Sequence, residues 1–200
     1  MRILSISIGK VKPLFGISHP DYKMVQSGID KKSISNLEKP RTVRINTLGV
    51  EGDEQADLTV HGGLEKAIYA YPSEHYQFWN NLLSQETNQL VNLQHGALGE
   101  NFTIEGLKEA DVFVGDIWRI GDVELSVVKL REPCYKFNAK FGYKGSAKTM
   151  LQSGFCGWYL RVNRSGSLCA GEEIYIEPGS QTTSIASQNI ALLKRNIQTD

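Results

Sequence analysis

Apolar and polar positions alternate along residues 2–8, RILSISI, with the period of a half-buried β-strand. Residues 12–40 keep no period and are rich in Lys, Ser, Gly and Pro, which predicts loop with short strands. A strand pattern returns at 41–48, RTVRINTL, before GVEGDEQADLTVHGG at 49–63, a glycine- and acid-dense run that predicts a structured loop. KAIYAY at 66–71 has the apolar character of a buried strand, and Pro72 ends it at a position suited to the first turn of a helix. In SEHYQFWNNLLSQ, Tyr76, Trp79, Leu82 and Leu83 recur at helical spacing, and His75 is placed on the solvent side. The clearest β signal is at 111–130, where Gly121-Asp122 separates IWRI from the alternating Val123, Leu125 and Val127 and predicts a hairpin. A short helix is expected over 146–152, ending near Gly154. Strands follow at 156–163 and 173–177, joined through NRSGS, and a last helix around 187–195.

Many short strands with glycine turns and few helices to cover a parallel sheet predict a mainly β protein, a closed β-barrel with a few short helices. The expected organisation is one barrel domain over 1–178 and a polar tail over 179–200 carrying one helix.

Composition narrows the function. The 200 residues are 40% hydrophobic and 22% charged, enough for a real core. Lys plus Arg and Asp plus Glu both number 22, so the basic footprint of a duplex nucleic-acid binder is absent. The three cysteines, Cys134, Cys156 and Cys169, form no CxxC pair, which argues against zinc ribbons, thioredoxin-type sites and cysteine-held iron–sulfur clusters. Thiols suit a reducing compartment. The first residues lack a signal-peptide h-region, and no apolar run has membrane-spanning length, so a soluble cytoplasmic protein is expected.

Three constellations carry candidate chemistry. In 49–66, Glu51, Asp53, Glu54 and Asp57 precede His61-Gly62-Gly63 and Lys66. The glycines permit close backbone approach, so exposed amides there are a candidate anion nest; a metal site and a plain acidic turn are the alternatives. Gly99-Glu100-Asn101-Phe102 aims two polar side chains from a strand start, or is only a turn. Arg131-Glu132-Pro133-Cys134 follows the strongest strand. Arg131 is suited to stabilise a Cys134 thiolate or to bind a phosphate, against the alternative that Cys134 is a small buried hydrophobe. His19, His75 and His95 have no partner at metal-ligand spacing, and P-loop, GxSxG, HExxH and GxGxxG motifs are missing.

In this order and spacing, GVEGDEQADLTVHGG (49–63), KAIYAYPSEHYQFW (66–79), GALGENFTIEGL (96–107), DVFVGDIWRIGDVELSV (111–127) and REPCYKFN (131–138) resemble the MOSC domain family, nearest its YiiM-like branch. The resemblance spans residues 1 to about 178. It implies a pyruvate-kinase-barrel-like fold that binds the molybdenum cofactor (molybdopterin), with Cys134 as metal ligand. It also implies an oxidoreductase that removes the hydroxyl from N-hydroxylated bases such as 6-hydroxylaminopurine. Electrons would come from a separate flavin or iron–sulfur reductase. His61, Gly62, Gly63, Lys66 and Arg131 are then sensible anion contacts and Asn101 a hydrogen-bonding contact; Asp53 and Glu100 would relay protons beside Cys134. The family's other implied role is sulfur carriage or cofactor handling through a Cys134 persulfide. A pyridoxal phosphate role attaches to the family at large, but no lysine here has a distinctive Schiff-base setting. Neither duplex nucleic acid nor membrane is an expected partner, and the oligomeric state is left open, a homodimer included. Two departures stand out: Leu130 occupies a position often proline in relatives, and the helical extension usual in the branch is reduced to one helix.

Overall fold

In the computed structural model of the chain, residues 1–16, 18–20, 25–57 and 62–198 are described. In chain order the strands are β1 (Arg2–Gly9), β2 (Lys12–Pro13), β3 (Gln26–Ser27), β4 (Lys31–Asn36), β5 (Val43–Asn46), β6 (Gly49–Val50), β7 (Ile68–Pro72), β8 (Phe102–Glu105), β9 (Ile117–Ile120), β10 (Val123–Leu130), β11 (Trp158–Arg164), β12 (Gly166–Leu168) and β13 (Tyr175–Glu177). The helices are α1 (Tyr76–Thr87), α2 (Tyr135–Phe141), α3 (Ser146–Ser153) and α4 (Ile185–Gln198). No helix among the described residues is long and apolar enough to cross a membrane.

Eight strands form one strongly curled sheet in the order β13–β9–β10–β11–β7–β8–β1–β4, antiparallel except for the β7–β8 pair. This corrects the expected closed barrel, because the edge strands β13 and β4 do not pair with each other. The reason lies in β1. Strand β4 pairs with residues 5–9 of β1, so only its first residues face the segment leading into β13. There the backbone bonds Gly171 N–Ile3 O (2.8 Å), Ile3 N–Glu172 O (3.1 Å) and Ile174 N–Met1 O (3.1 Å) make a short irregular seam, not a ladder. The result is a half-barrel. A separate small sheet, β12–β5–β6, contains the strand expected at 41–48.

Alternation drives the main hairpin as expected: Val123, Leu125 and Val127 are buried, and Gly121 adopts φ +53° in the turn between β9 and β10. Trp118 and Trp158 meet edge to face inside the half-barrel, with ring centroids 5.8 Å apart. Helix α1 buries Tyr76, Trp79 and Leu83 and stops at Asn88, which is left-handed. Gly154 ends α3 in the same conformation. His75 departs from its expected solvent side. It is 4% exposed, stacks on Phe155 and bonds Glu109 Oε2 through Nε2 at 2.8 Å.

Two elements escaped the periodicity. Strand β4 lies in the stretch expected to be mostly loop; it is a polar edge strand, KKSISN, with only Ser35 deeply buried. Helix α2 begins directly after Cys134 and turns Phe137 and Phe141 toward Trp79. Helix α4 is longer than its expected span. Its Gln188 Oε1 accepts the Leu130 N–H (2.8 Å), fastening the end of β10 just before Arg131.

Candidate functional site

A cleft of about 710 Å³, open to solvent on one side, lies where four segments converge. These are the 27–31 strap, the 53–56 loop, the start of β8 and the 131–136 segment between β10 and α2. Of the residues singled out in the sequence, Asp53, Lys66, Asn101, Arg131 and Cys134 all line it. Four more lining residues, Lys31, Tyr69, Lys136 and Tyr159, carried no sequence signal.

The floor is an ion pair. Lys31 Nζ lies 2.5 and 2.6 Å from the two Asp53 oxygens, and the side chains are 8% and 6% exposed. Asp53 also accepts the Gly9 N–H (2.7 Å) and the Asn101 Nδ2 amide (2.9 Å). Asn101 is itself held, because its Oδ1 accepts the Tyr69 N–H (3.1 Å) and its amide also reaches Ser7 O (3.2 Å). Burial pulls the Lys31 amine below the ordinary lysine range, with Asp53 opposing that pull.

Cys134 stands at the N-cap of α2, half-buried, with extended backbone. Pro133 keeps the preceding residue out of helical geometry, so the helix starts only after the thiol is placed at the cleft. Arg131, 6% exposed, lies over the Tyr69 and Phe137 rings, at 5.3 and 4.7 Å from their centroids. Its Nη1 donates to the Met150 sulfur (2.9 Å), and among the described residues no carboxylate is within ion-pair distance of it. Such a cation, cushioned by aromatic faces, leaves its charge available to an anion in the cleft. Lys66 closes a 3-10 turn at Leu64–Lys66 beside Tyr159, and burial lowers its pKa. Lys136 donates to Gln26 O (2.9 Å) and Lys140 to Ile29 O (2.9 Å), so α2 is buttoned to the strap by two lysines one turn apart. Glu54 and Glu132 pair outward with Lys10 and Lys129. The inner cleft therefore has a surplus of positive charge.

The remaining expectations fare differently. Glu100 is not on the cleft wall. Its buried carboxylate accepts the Gly96 N–H (2.8 Å), the Leu98 N–H (3.0 Å), the Thr103 hydroxyl (2.8 Å) and the Tyr76 phenol. Four donors of the fold hold it, three on Oε1 and one on Oε2, so it organises the bend before β8 and does not line the cleft where a proton relay was expected. The Gly63 amide already has an acceptor within the fold. Gly63 N–H is given to Gln55 Oε1 (2.8 Å), and a side chain on Gly62 would meet that same oxygen at 2.2 Å. His61 lies outside the described residues. No group of three or more metal-ligating side chains of the His/Cys/Asp/Glu type occurs among the described residues; Cys134 is the soft donor that lines the cleft.

The MOSC domain family model matches residues 57–175, a span containing Cys134 and the strands around it. The chain belongs to the MOSC domain family. Among its relatives, protein YiiM of Escherichia coli (strain K12) is 34% identical over 161 residues, covering 80% of this chain and 70% of that protein. A reductase of Gibberella moniliformis is 37% identical over 127 residues, 63% of this chain but only 22% of that much longer protein. The crystal structure of YiiM from Geobacillus stearothermophilus superposes with a TM-score of 0.72 at 30% identity, over 97% of this chain and 84% of that one. In this MOSC domain the matched span carries Lys66, Asn101, Arg131 and Cys134, whereas Lys31 and Asp53 come from the region before it.

Proposed function

We propose that this MOSC protein binds the molybdenum cofactor in the cleft and reduces N-hydroxylated bases or related N-hydroxylated compounds, with electrons from a separate flavin or iron–sulfur reductase. The observation that carries the reading is the pairing, in one cleft, of a half-buried thiol with a buried arginine that has no carboxylate partner among the described residues. The donor set fits the group. Cys134 offers the soft sulfur that molybdenum favours, and Arg131, Lys66 and Lys136 offer the positive charge a phosphate-bearing pterin needs. Gly28 and Gly99 let the wall segments pack closely on each other: a side chain added to them would strike Glu54 O at 2.3 Å and Ile29 Cγ1 at 2.9 Å. When bound, the cofactor supplies two-electron redox chemistry at the metal.

The chain's own residues do the rest. Asn101 and Asp53 present a fixed polar floor, and the Tyr69 and Tyr159 rings flank a planar ligand. The strap excludes water from one side. The fungal relative's name, reductase, supports an oxidoreductase role.

The test is molybdenum per chain after expression in a host that makes the cofactor, beside Cys134→Ser. Near-stoichiometric metal in the native protein, lost in the variant, is the expected result. A metal-free protein that instead carries a persulfide mass shift on Cys134 would overturn the reductase reading in favour of sulfur carriage.

A further inference from the structure

Behind the cleft lies a second, solvent-open cavity of about 1490 Å³, lined among others by Tyr76, Asn80, His95, Ala97 and Lys140. Among the described residues one residue lines both spaces, and it is Lys31: its ammonium meets Asp53 in the cleft, and its carbonyl lies toward Gly96 beside the second cavity. We propose that Lys31 donates a proton to the reacting group in the cleft and is reprotonated from the second cavity. The inference rests on the reductase reading above.

Three observations support it. Lys31 and Asp53 are a nearly fully buried pair, and such pairs add little to stability once desolvation is counted, so their retention asks for another reason. The Asp53 oxygens are fixed from three sides, by Gly9 N–H, Asn101 Nδ2 and the ammonium itself, so the lysine is held in place by a rigid counter-ion. Lys31 belongs both to the cleft that holds Cys134 and to the second cavity, which opens to solvent. Asp53 and Glu100 are the charged groups that face Lys31, and burial, which makes the ammonium a better acid than a free lysine, outweighs both.

The chemistry balances. R–NH–OH, two electrons and two protons give R–NH₂ and water. The N–O bond breaks as the reduced flavin or iron–sulfur partner supplies the electron pair. The Lys31 Nζ–H bond breaks as an O–H bond forms on the departing hydroxyl. The second proton reaches the nitrogen from cleft water. The neutral amine then recovers its proton from water in the second cavity.

Three variants separate this role from a structural one. Lys31→Arg keeps the ion pair but replaces the donor with a group too weakly acidic to give up its proton. It is expected to fold and to lose about 100-fold in kcat. Lys31→Ala should lose at least as much and regain about tenfold with propylammonium, which the second cavity admits. In cofactor-free protein, Ala97→Trp should place an indole in the second cavity beside β4 and slow hydrogen exchange at the Lys31 ammonium, followed by ¹H–¹⁵N NMR, by about tenfold. A wild type active on an N-hydroxylated purine while Lys31→Arg keeps full kcat would overturn the donor role alone. Unchanged exchange in Ala97→Trp would overturn the route alone. A wild type loaded with molybdenum that reduces no N-hydroxylated compound would overturn the reductase reading and this step with it.

Discussion

Asp53 and Glu100 are two buried carboxylates on either side of Asn101, and the fold uses them in opposite ways. The oxygens of Glu100 are consumed by two backbone amides, a threonine hydroxyl and a tyrosine phenol, all within the bend that launches β8. Burial and the neighbouring Glu100 hold the Tyr76 phenol far above the ordinary tyrosine range, so that proton does not move near neutrality. Asp53 instead faces an ammonium at 2.5 Å, and the lysine that carries it lines two cavities. Burial is common to both; a mobile proton on the partner is not. A buried carboxylate is thus read by its donors, and of these two only Asp53 is ion-paired with a cation.

The sharpest way to break the comparison is Asp53→Asn. It leaves the Lys31 charge buried without its partner, so a loss of about 3–5 kcal/mol in urea unfolding is expected. It should also lower kcat of the folded fraction by about 100-fold or more in the reductase assay. Lys31→Met combined with Asp53→Asn should recover much of that stability and none of the turnover. If the double variant regained turnover, the two carboxylates would be equivalent after all.

Next comes Glu100→Gln. One of its oxygens becomes an NH₂ group facing N–H donors, which should cost about 2–3 kcal/mol by the same unfolding measurement. The kcat of protein that remains folded should stay within about threefold of wild type, which is small beside the 100-fold scale of proton-transfer losses. A larger kinetic defect would return Glu100 to the chemistry.

The smallest effect tests the lysine that buttons α2 to the strap. Burial pulls Lys140 down to about 8 from the ordinary 10.5. Between those values the unfolded chain holds a proton that the folded chain lacks, so stability should rise with pH through that window. The gain is about 1.4 kcal/mol for each pH unit inside that window and absent below pH 8. Lys140→Met should flatten the slope in unfolding curves taken at several pH values.

Part of the site was readable along the chain and part was not, for one reason. Asp53, Arg131 and Cys134 sit in segments whose composition is odd for a loop: acids beside glycines, or a cysteine pinned by proline. Lys31 is one of two adjacent lysines in a polar stretch, and nothing local says that its neighbour Lys32 is exposed while it is buried. Strand β4 hid in the same stretch because an edge strand buries little and so leaves little alternation. Helix α2 hid behind Pro133: its two phenylalanines are one turn apart, but seven residues are too few to establish a period.

What the sequence determined by itself is local: the β9–β10 hairpin, the amphipathic α1, the glycine stops of α3, and the segments that carry Asp53 and Cys134. These follow from periodicity, turn chemistry and proline geometry, which act over a few residues. Tertiary structure alone decided that the sheet stays open, that Gln55 occupies the Gly63 amide, and that Lys31 meets Asp53 across 22 residues of chain. Each is settled by which hydrogen-bond donor finds which acceptor once the core has closed, and those pairings lie too far apart in sequence to leave a local pattern.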